Sequence, residues 1–195
     1  MNIKAQGLFN AAIWIEQTHG QNALRDVLRA CKPETRDRYT SATAINWHPV
    51  EEFVDLLSVV EKQLGKGDGR LAIEIGAAGA RVNNKGMLIR LAMYVSKPEM
   101  MVKRVSSFWR QFNDAGDMNV YDVSERGIKF EVVGIDPTYE LFCLTIVGWS
   151  QELVKGAGGR LASAKHVSCK GRGNDRCVWD VRWAPVAGSD GKIGL

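Results

Sequence analysis

The chain has 195 residues, of which 45% are apolar, and this length and composition suffice for one well-filled core. Its formal net charge of +4 comes from 26 basic and 22 acidic residues, so the charge balance gives little reason to expect a nucleic-acid partner. No apolar run approaches the roughly 20 residues needed to cross a bilayer, and the N-terminus lacks the pattern of a secretory signal, so we expect a cytoplasmic protein that does not enter membranes.

The first two thirds of the chain have the apolar spacing of helices. Pro33 ends the second predicted helix, and Pro49 suits the first turn of the third, where Glu51 and Glu52 favour the positive end of the helix dipole. The spacing predicts helices over residues 7–17, 22–31, 49–64, 70–81, 85–95 and 98–112.

After residue 116 the sequence period changes from that of helices to that of strands. Short β-rich runs at 118–123 and 128–133 flank the turn sequence 124–127. This arrangement predicts a β-hairpin.

A long helix is predicted after the hairpin, because Asp136 is a good N-cap and Pro137 suits the first helical position. The helix is expected to run to about Lys155, where a glycine-rich segment ends it. Two more strands follow at 160–168 and 177–183.

These elements predict an α+β fold, in which an N-terminal helical bundle precedes a β-β-α-β-β antiparallel sheet. We expect a single domain over residues 1–183. The glycine-rich tail, residues 184–195, has little to bury and is expected to be flexible.

Four potential metal ligands lie in the last third of the chain, and together they can fill one tetrahedral zinc shell: Cys143, His166, Cys169 and Cys177. In a reducing compartment, clustered cysteines are more often metal ligands or reactive thiols than disulfides. The alternative is that Cys143 is a core residue, that the other two cysteines face each other on strands, and that His166 lies on the surface.

A shared ion places one geometric demand on the last strands. Residues three apart on a regular strand point to opposite faces, so His166 and Cys169 can bind one ion only if the chain turns or bulges at Val167 or Ser168. The remaining cysteine, Cys31, is expected to be a buried residue at a helix end.

The order of elements and the C-terminal pattern Cys169-x7-Cys177-x-Trp179-x-Val181-x-Trp183 resemble the 4-vinyl-reductase domain superfamily. That superfamily includes the sensor domains of aromatic-responsive transcriptional activators. It is related in fold to haem nitric-oxide-binding domains and to small subunits of the TRAPP trafficking complex. The front half, at residues 7–10 and 45–53, resembles a group of stand-alone deltaproteobacterial and myxobacterial proteins.

The resemblance implies a ligand-binding domain of the NO-signalling and Golgi-transport type, often dimeric, with a zinc ion. In the aromatic sensors the zinc is held by a helix cysteine, an acidic residue and two cysteines of the final hairpin. The resemblance therefore implies zinc ligands at Cys143, Cys169 and Cys177, with His166 replacing the carboxylate.

Haem is disfavoured by the histidine content of the chain. The three histidines are His19, His48 and His166, and none lies on the helices just before the first hairpin, where haem domains of the related fold place their proximal ligand. The segment 121–126 also lacks the Tyr-x-Ser-x-Arg spacing of their propionate-binding motif.

An apolar organic ligand suits the methionine and aromatic residues of the middle of the chain. Tyr94, Trp109 and Tyr121 are the predicted ligand-binding residues, because each carries a polar group that could orient a ligand. The alternative is that these side chains are ordinary core residues.

The leading hypothesis is a cytoplasmic sensor or adaptor domain with no enzymatic activity. It would bind a small hydrophobic molecule, hold a structural zinc, and signal through a homodimer or another protein partner. The alternative is a ligand-free interaction scaffold whose cavity is filled by its own aromatic residues. A tetrapyrrole-related enzyme and a haem-based gas sensor are weaker alternatives, since a four-ligand zinc has no open position and no dinucleotide fingerprint is present.

Overall fold

The computed structural model describes residues 1–83, 106–107, 109–124, 126–156 and 160–184. Its helices are α1 (Gln6–His19), α2 (Gln21–Ala30), α3 (Pro33–Ser41), α4 (Val50–Gln63), α5 (Arg70–Asn83) and α6 (Glu140–Gly156). Its strands are β1 (Asn2–Lys4), β2 (Trp47–Pro49), β3 (Asp117–Ser124), β4 (Gly127–Val133), β5 (Arg160–Ser168) and β6 (Cys177–Ala184). A short 3-10 helix (Lys170–Arg172) lies between the last two strands.

The fold is α+β, as the sequence predicts. The C-terminal half forms a four-stranded antiparallel sheet in the order β3-β4-β6-β5, and α6 connects the first hairpin to the second. The predicted β-β-α-β-β arrangement is therefore confirmed. β6 runs to Ala184, one residue past the predicted end of the domain, and 185–195 lie outside the described residues.

The small sheet of β1 and β2, which the sequence did not predict, joins the N-terminus to the segment between α3 and α4. Ile3 pairs with His48 in this sheet and also forms a bridge to Asn113, just before β3. Beside the bridge, the backbone N–H of Asn2 donates to Asp114 Oδ1 at 2.7 Å, and the Asn2 side chain donates to Asp114 Oδ2 at 2.8 Å. The N-terminal strand is thereby tied to the segment that enters the large sheet.

Two details of the sequence prediction were wrong. Pro33 ends α2 but also opens α3, whose few apolar residues give no periodic signal. Tertiary hydrogen bonds stabilise this helix instead, since Asp55 Oδ2 accepts from the backbone N–H of Lys32 at 2.9 Å and from the hydroxyl of Thr35 at 2.8 Å.

The second error concerns the start of α6. Asp136 does not cap this helix and Pro137 is not in its first turn; the peptide bond between them is cis, and the helix begins at Glu140. The intervening chain packs on the final turn, where a Cβ at Gly171 would lie 3.1 Å from the Thr138 carbonyl oxygen. The predicted helix 85–95 and most of 98–112 lie outside the described residues.

The buried pair His48 and Glu52 fixes the junction of β2 and α4. His48 Nδ1 lies 3.1 Å from Glu52 Oε2, and the Arg38 guanidinium donates to the same oxygen at 2.9 Å. Burial lowers the pKa of His48, so the imidazole is neutral at pH 7. Glu52 therefore serves as an acceptor for two side chains as well as favouring the helix dipole.

Helices α5 and α6 cross at backbone contact, and this crossing lies at the centre of the molecule. A Cβ at Gly76 would overlap the carbonyl oxygen of Thr145, and one at Gly148 would overlap the carbonyl oxygen of Ile73. Only glycine permits such an approach on both helices. None of the described helices is long and apolar enough to cross a membrane.

The substitution Gly76→Ala is expected to lower the free energy of unfolding by about 3 kcal/mol, because the new methyl group forces the two backbones apart. Urea denaturation monitored by circular dichroism measures the effect. Gly79→Ala on the same helix is the matched control, since its Cβ would meet Asn10 Nδ2 at an ordinary 3.6 Å. Its expected effect is a gain of about 1 kcal/mol from helix propensity. Equal stabilities of the two variants would contradict the close crossing.

Candidate metal centre and ligand cavity

The structure brings the four predicted metal ligands together. One ligand atom from each of Cys143, His166, Cys169 and Cys177 lies within 4.8 Å of all the others. The Sγ atoms of Cys143 and Cys177 are 3.8 Å apart. A tetrahedral zinc with Zn–S bonds of about 2.3 Å would separate two sulfur atoms by about 3.8 Å, so this pair already has the required spacing.

A β-bulge brings His166 and Cys169 to the same side of the sheet. His166 pairs with Trp179 and Ser168 pairs with Val178, which leaves Val167 as an extra residue between them. The sequence predicted a turn or bulge at this point, and the structure has it at Val167. The bulge exposes Val167, which is 52% accessible, and directs its neighbours inward.

Trp179 holds two of the ligands in place. Its ring stacks on His166 with centroids 4.6 Å apart, and on its other neighbouring strand it stacks on Phe130 at 5.3 Å. Its indole N–H donates to the backbone carbonyl of Cys143 at 3.1 Å. The fully buried Trp179 therefore links the helix that carries Cys143 to the strand that carries His166.

Hydrogen bonds within the final turn position the two strand cysteines. The carbonyl oxygen of Cys169 accepts from the backbone N–H of Arg172 at 3.0 Å and of Asn174 at 3.1 Å. The backbone N–H of Lys170 points at Cys177 Sγ at 3.4 Å. Peptide N–H groups that point at cysteine sulfur favour the thiolate, which is the form that binds metal.

The two ring nitrogens of His166 are buried polar atoms without a hydrogen-bond partner among the described residues. Buried polar atoms are nearly always paired, so each such exception needs an explanation. A metal ion among the three sulfur atoms would occupy one nitrogen, and the donor set Cys3His fits zinc.

The three thiols of the cluster differ in their pKa values. The pKa of Cys177 is lowered from 9.0 to about 4, chiefly because the Cys143 thiol donates a hydrogen bond to its sulfur. The same hydrogen bond, with burial, raises the pKa of Cys143, while burial and the nearby Cys177 charge raise that of Cys169. The cluster is therefore expected to hold one thiolate at pH 7, and zinc binding would release the remaining thiol protons.

A cavity of about 150 Å³ lies between the helical half and the sheet half. The elements around it are β1, α1, α4, α5, β3 and α6, together with residues 109–113 that precede β3. Its walls are mostly apolar, and the side chains that define them include Ile3, Phe53, Ile75, Phe112, Met118 and Ile146. Gly7 and Gly79 also line it, and a Cβ at either position would meet its neighbours only at ordinary contact distance.

The predicted ligand-binding residues have three different outcomes. Trp109 lines the cavity with its ring, which meets Phe142 edge-on at 6.2 Å, but its indole N–H donates to the Ala115 carbonyl at 3.0 Å. Tyr121 is 53% exposed on β3 and does not contact the cavity. Tyr94 lies outside the described residues.

Sequence reasoning missed Asn10, a buried polar residue of α1 that lines the cavity. It also did not recognise that Gly76 and Gly79, inside a predicted helix, mark positions where a neighbouring element lies close to α5. Glycines in the interior of a predicted helix cost stability, so their presence in the sequence is a signal of close packing or of a needed space.

Several solved structures of H-NOX proteins superpose on this chain over most of its length. The chain superposes on an H-NOX protein from K. algicida, a mutant in the Fe(II) unliganded state, with a TM-score of 0.69 and 12% identity over 94% of this chain and 98% of that one. An H-NOX mutant from S. oneidensis superposes with a TM-score of 0.65 and 11% identity, covering 95% of this chain and 98% of that one. A structure solved to probe haem distortion in the H-NOX family superposes with a TM-score of 0.65 and 13% identity, covering 97% of this chain and 100% of that one.

The sequence matches no family model and no curated protein. At this level of identity the likeness shows the fold, and the chain has the fold of the H-NOX proteins. The sequence predicted a fold related to that of haem nitric-oxide-binding domains, and these structural matches support that part of the prediction. The 4-vinyl-reductase and myxobacterial resemblances stay predictions.

The described residues around the cavity do not fit haem. Iron in haem proteins is held by histidine, cysteine, tyrosine or a methionine partnered with histidine. Of the cavity-lining residues that the structure describes, none is histidine, cysteine or tyrosine. His19 lies at the exposed end of α1 beside Trp14, and His48 is engaged by Glu52. The cavity is also smaller than the 300 Å³ or more typical of drug-sized ligands.

In metal-free protein, thiolate absorbance near 240 nm is expected at pH 7 and should disappear as the pH falls through about 4, because the lowered pKa of Cys177 keeps its sulfur ionised above that value. A pH titration by ultraviolet spectroscopy measures it, with Cys177→Ser as the variant that should lack the step. A wild-type protein that first gains thiolate above pH 8 would contradict this arrangement.

Proposed function

We propose that this chain is a sensor or adaptor domain that binds a small apolar molecule in the central cavity and uses a Cys3His zinc as a structural clamp. The observation that carries the proposal is the apolar cavity of about 150 Å³, built by both halves of an H-NOX fold. Ligand sites are commonly concave, mostly apolar spaces between structural units.

Zinc is proposed for its structural effect. It would be held by Cys143, His166, Cys169 and Cys177, and would join α6 to the end of the sheet. Four protein ligands leave the metal no open coordination position, which supports a structural rather than a catalytic metal. We therefore propose that the domain is not an enzyme.

Helix α6 connects the two sites. Cys143 faces the metal cluster, while its neighbour Phe142 lines the cavity against Trp109. A change in cavity occupancy that moves Phe142 would therefore act on the clamped end of the helix. We propose that the response passes from there to a second chain, either in a homodimer or in a complex with another protein.

A haem-based gas sensor is the second candidate, because the structural neighbours are H-NOX proteins and one was solved to study haem distortion. The fold is thus nearer to this alternative than to the aromatic-responsive sensors. The missing histidine at the cavity and the small cavity volume argue against haem. Haem added to the purified protein would show no Soret shift if the first proposal is right.

One zinc per chain is expected by native mass spectrometry of freshly purified protein. Cys177→Ser should lose the ion and lower the melting temperature, because the clamp between α6 and the sheet is broken. Cys31→Ser is the matched control, since Cys31 is equally buried but stands apart from the cluster. A metal-free wild-type protein never exposed to chelator would overturn the zinc proposal.

Toluene is expected to raise the melting temperature of the zinc-loaded protein in scanning calorimetry, because binding to the cavity stabilises the native state. Gly79→Ala places a methyl group in the cavity without overlap. It should weaken toluene binding about fivefold or more while it stabilises the ligand-free protein. Absence of any toluene effect on the wild type would remove the cavity as a ligand site.

A further inference from the structure

We propose that Asn10 is the specificity-determining residue of the cavity, and that its side-chain amide pairs with the single polar group of an otherwise apolar, uncharged ligand. The inference rests on the proposed function, because it assumes that the cavity takes a small molecule. It adds the chemical class of that molecule and the residue that selects it.

Asn10 differs from the other polar side chains of the cavity wall in having no partner. The hydroxyl of Thr145 donates to the Phe142 carbonyl at 2.7 Å, and Asn113 Nδ2 donates to the Trp109 carbonyl at 2.9 Å. Lys4 Nζ donates to the Ile45 carbonyl at 2.8 Å and lies over the Trp47 ring. The Trp109 indole is engaged as described, and Gln6 and Trp149 are also engaged.

Asn10 is 7% exposed and lines the cavity, and none of the hydrogen bonds among the described residues involves its side chain. Asparagine is a poor choice for a helix interior and an expensive one for a core, because a buried amide without a partner loses its hydration. Buried polar groups are normally paired with protein, water or a ligand. The free amide therefore points to a partner inside the cavity.

The wall beside the amide is the backbone of α5 at a glycine. Asn10 Nδ2 lies 3.6 Å from the place that a Cβ at Gly79 would take, so no side chain at position 79 covers the amide, and the gap between the two helices there is about the size of a methyl group. The amide oxygen and nitrogen can exchange places by rotation, so Asn10 can accept from a hydroxyl or donate to a carbonyl.

The size and polarity of the cavity define the ligand class. An apolar cavity of this volume is known to accept benzene, so the ligand has roughly six to eight non-hydrogen atoms. The mostly apolar walls disfavour an ionised ligand, since burying an unpaired charge is costly. A single ring with one hydroxyl, carbonyl or amine group meets these conditions.

Phenol and toluene test the proposal, because they differ in one polar group at nearly constant size. Dissociation constants of both are measured on the zinc-loaded wild type and on Asn10→Leu by calorimetry. We expect the ratio of the phenol to the toluene dissociation constant to rise about tenfold in the variant. We also expect the ligand-free variant to melt at a higher temperature, because an unpaired buried amide has been removed.

Ser150→Ala is the matched control, since Ser150 is a buried polar residue of α6 outside the cavity lining and its hydroxyl donates to the Ile146 carbonyl at 2.7 Å. Its phenol-to-toluene ratio should equal that of the wild type. Asn10→Ala serves as a second variant if Asn10→Leu does not fold. An unchanged ratio in the Asn10 variants, or toluene binding without phenol binding in the wild type, would overturn the role of Asn10 alone. Failure of the wild type to bind either probe would overturn the proposed function as well.

Discussion

The position of helix α6 is the constraint on which the rest of the structure depends. On one side, Gly148 and Gly76 let it touch the backbone of α5, so the two helices cannot slide or separate without losing that contact. On the other side, the Trp179 indole donates to the Cys143 carbonyl and fixes the first turns of the helix over the sheet. Because consecutive residues of a helix point about 100° apart, Phe142 can line the cavity while Cys143 reaches the metal cluster.

The chain has the H-NOX fold, but the described residues that line its cavity include none that would hold haem iron. A fold fixes where a cavity can form, but the side chains that line it decide what it binds. Here aromatic and aliphatic residues from α4, α5 and α6 narrow the space to about 150 Å³, and the described walls offer the iron no histidine, cysteine or tyrosine. The shared fold therefore does not decide what the cavity binds, and its described lining suits a small organic ligand better than a tetrapyrrole.

The sequence predicted the order of the strands, and the four residues that it grouped as metal ligands lie close together in the structure. The need for a bulge near Val167 followed from strand geometry alone. The pattern failed where tertiary contacts decide, as at α3, which depends on Asp55, and at Pro137, which precedes the helix that it was expected to open. Trp109 lines the cavity, but its contact with the Ala115 carbonyl, which accepts the indole N–H, could not be foreseen from the sequence.

The cavity and the metal cluster have opposite effects on stability, and α6 couples them. An empty cavity of this volume costs about 3 to 4 kcal/mol of lost packing. Structural zinc sites contribute more than this, roughly 10 kcal/mol in small domains, although the value depends strongly on pH. If zinc binds the Cys3His cluster as proposed, a clamp of that strength would offset the cost of the cavity. A ligand would restore packing on the cavity side of the same helix, so the proposed metal and ligand would both favour the arrangement in which α6 lies against the sheet. The two sites are therefore expected to assist each other's binding, even though no side chain belongs to both.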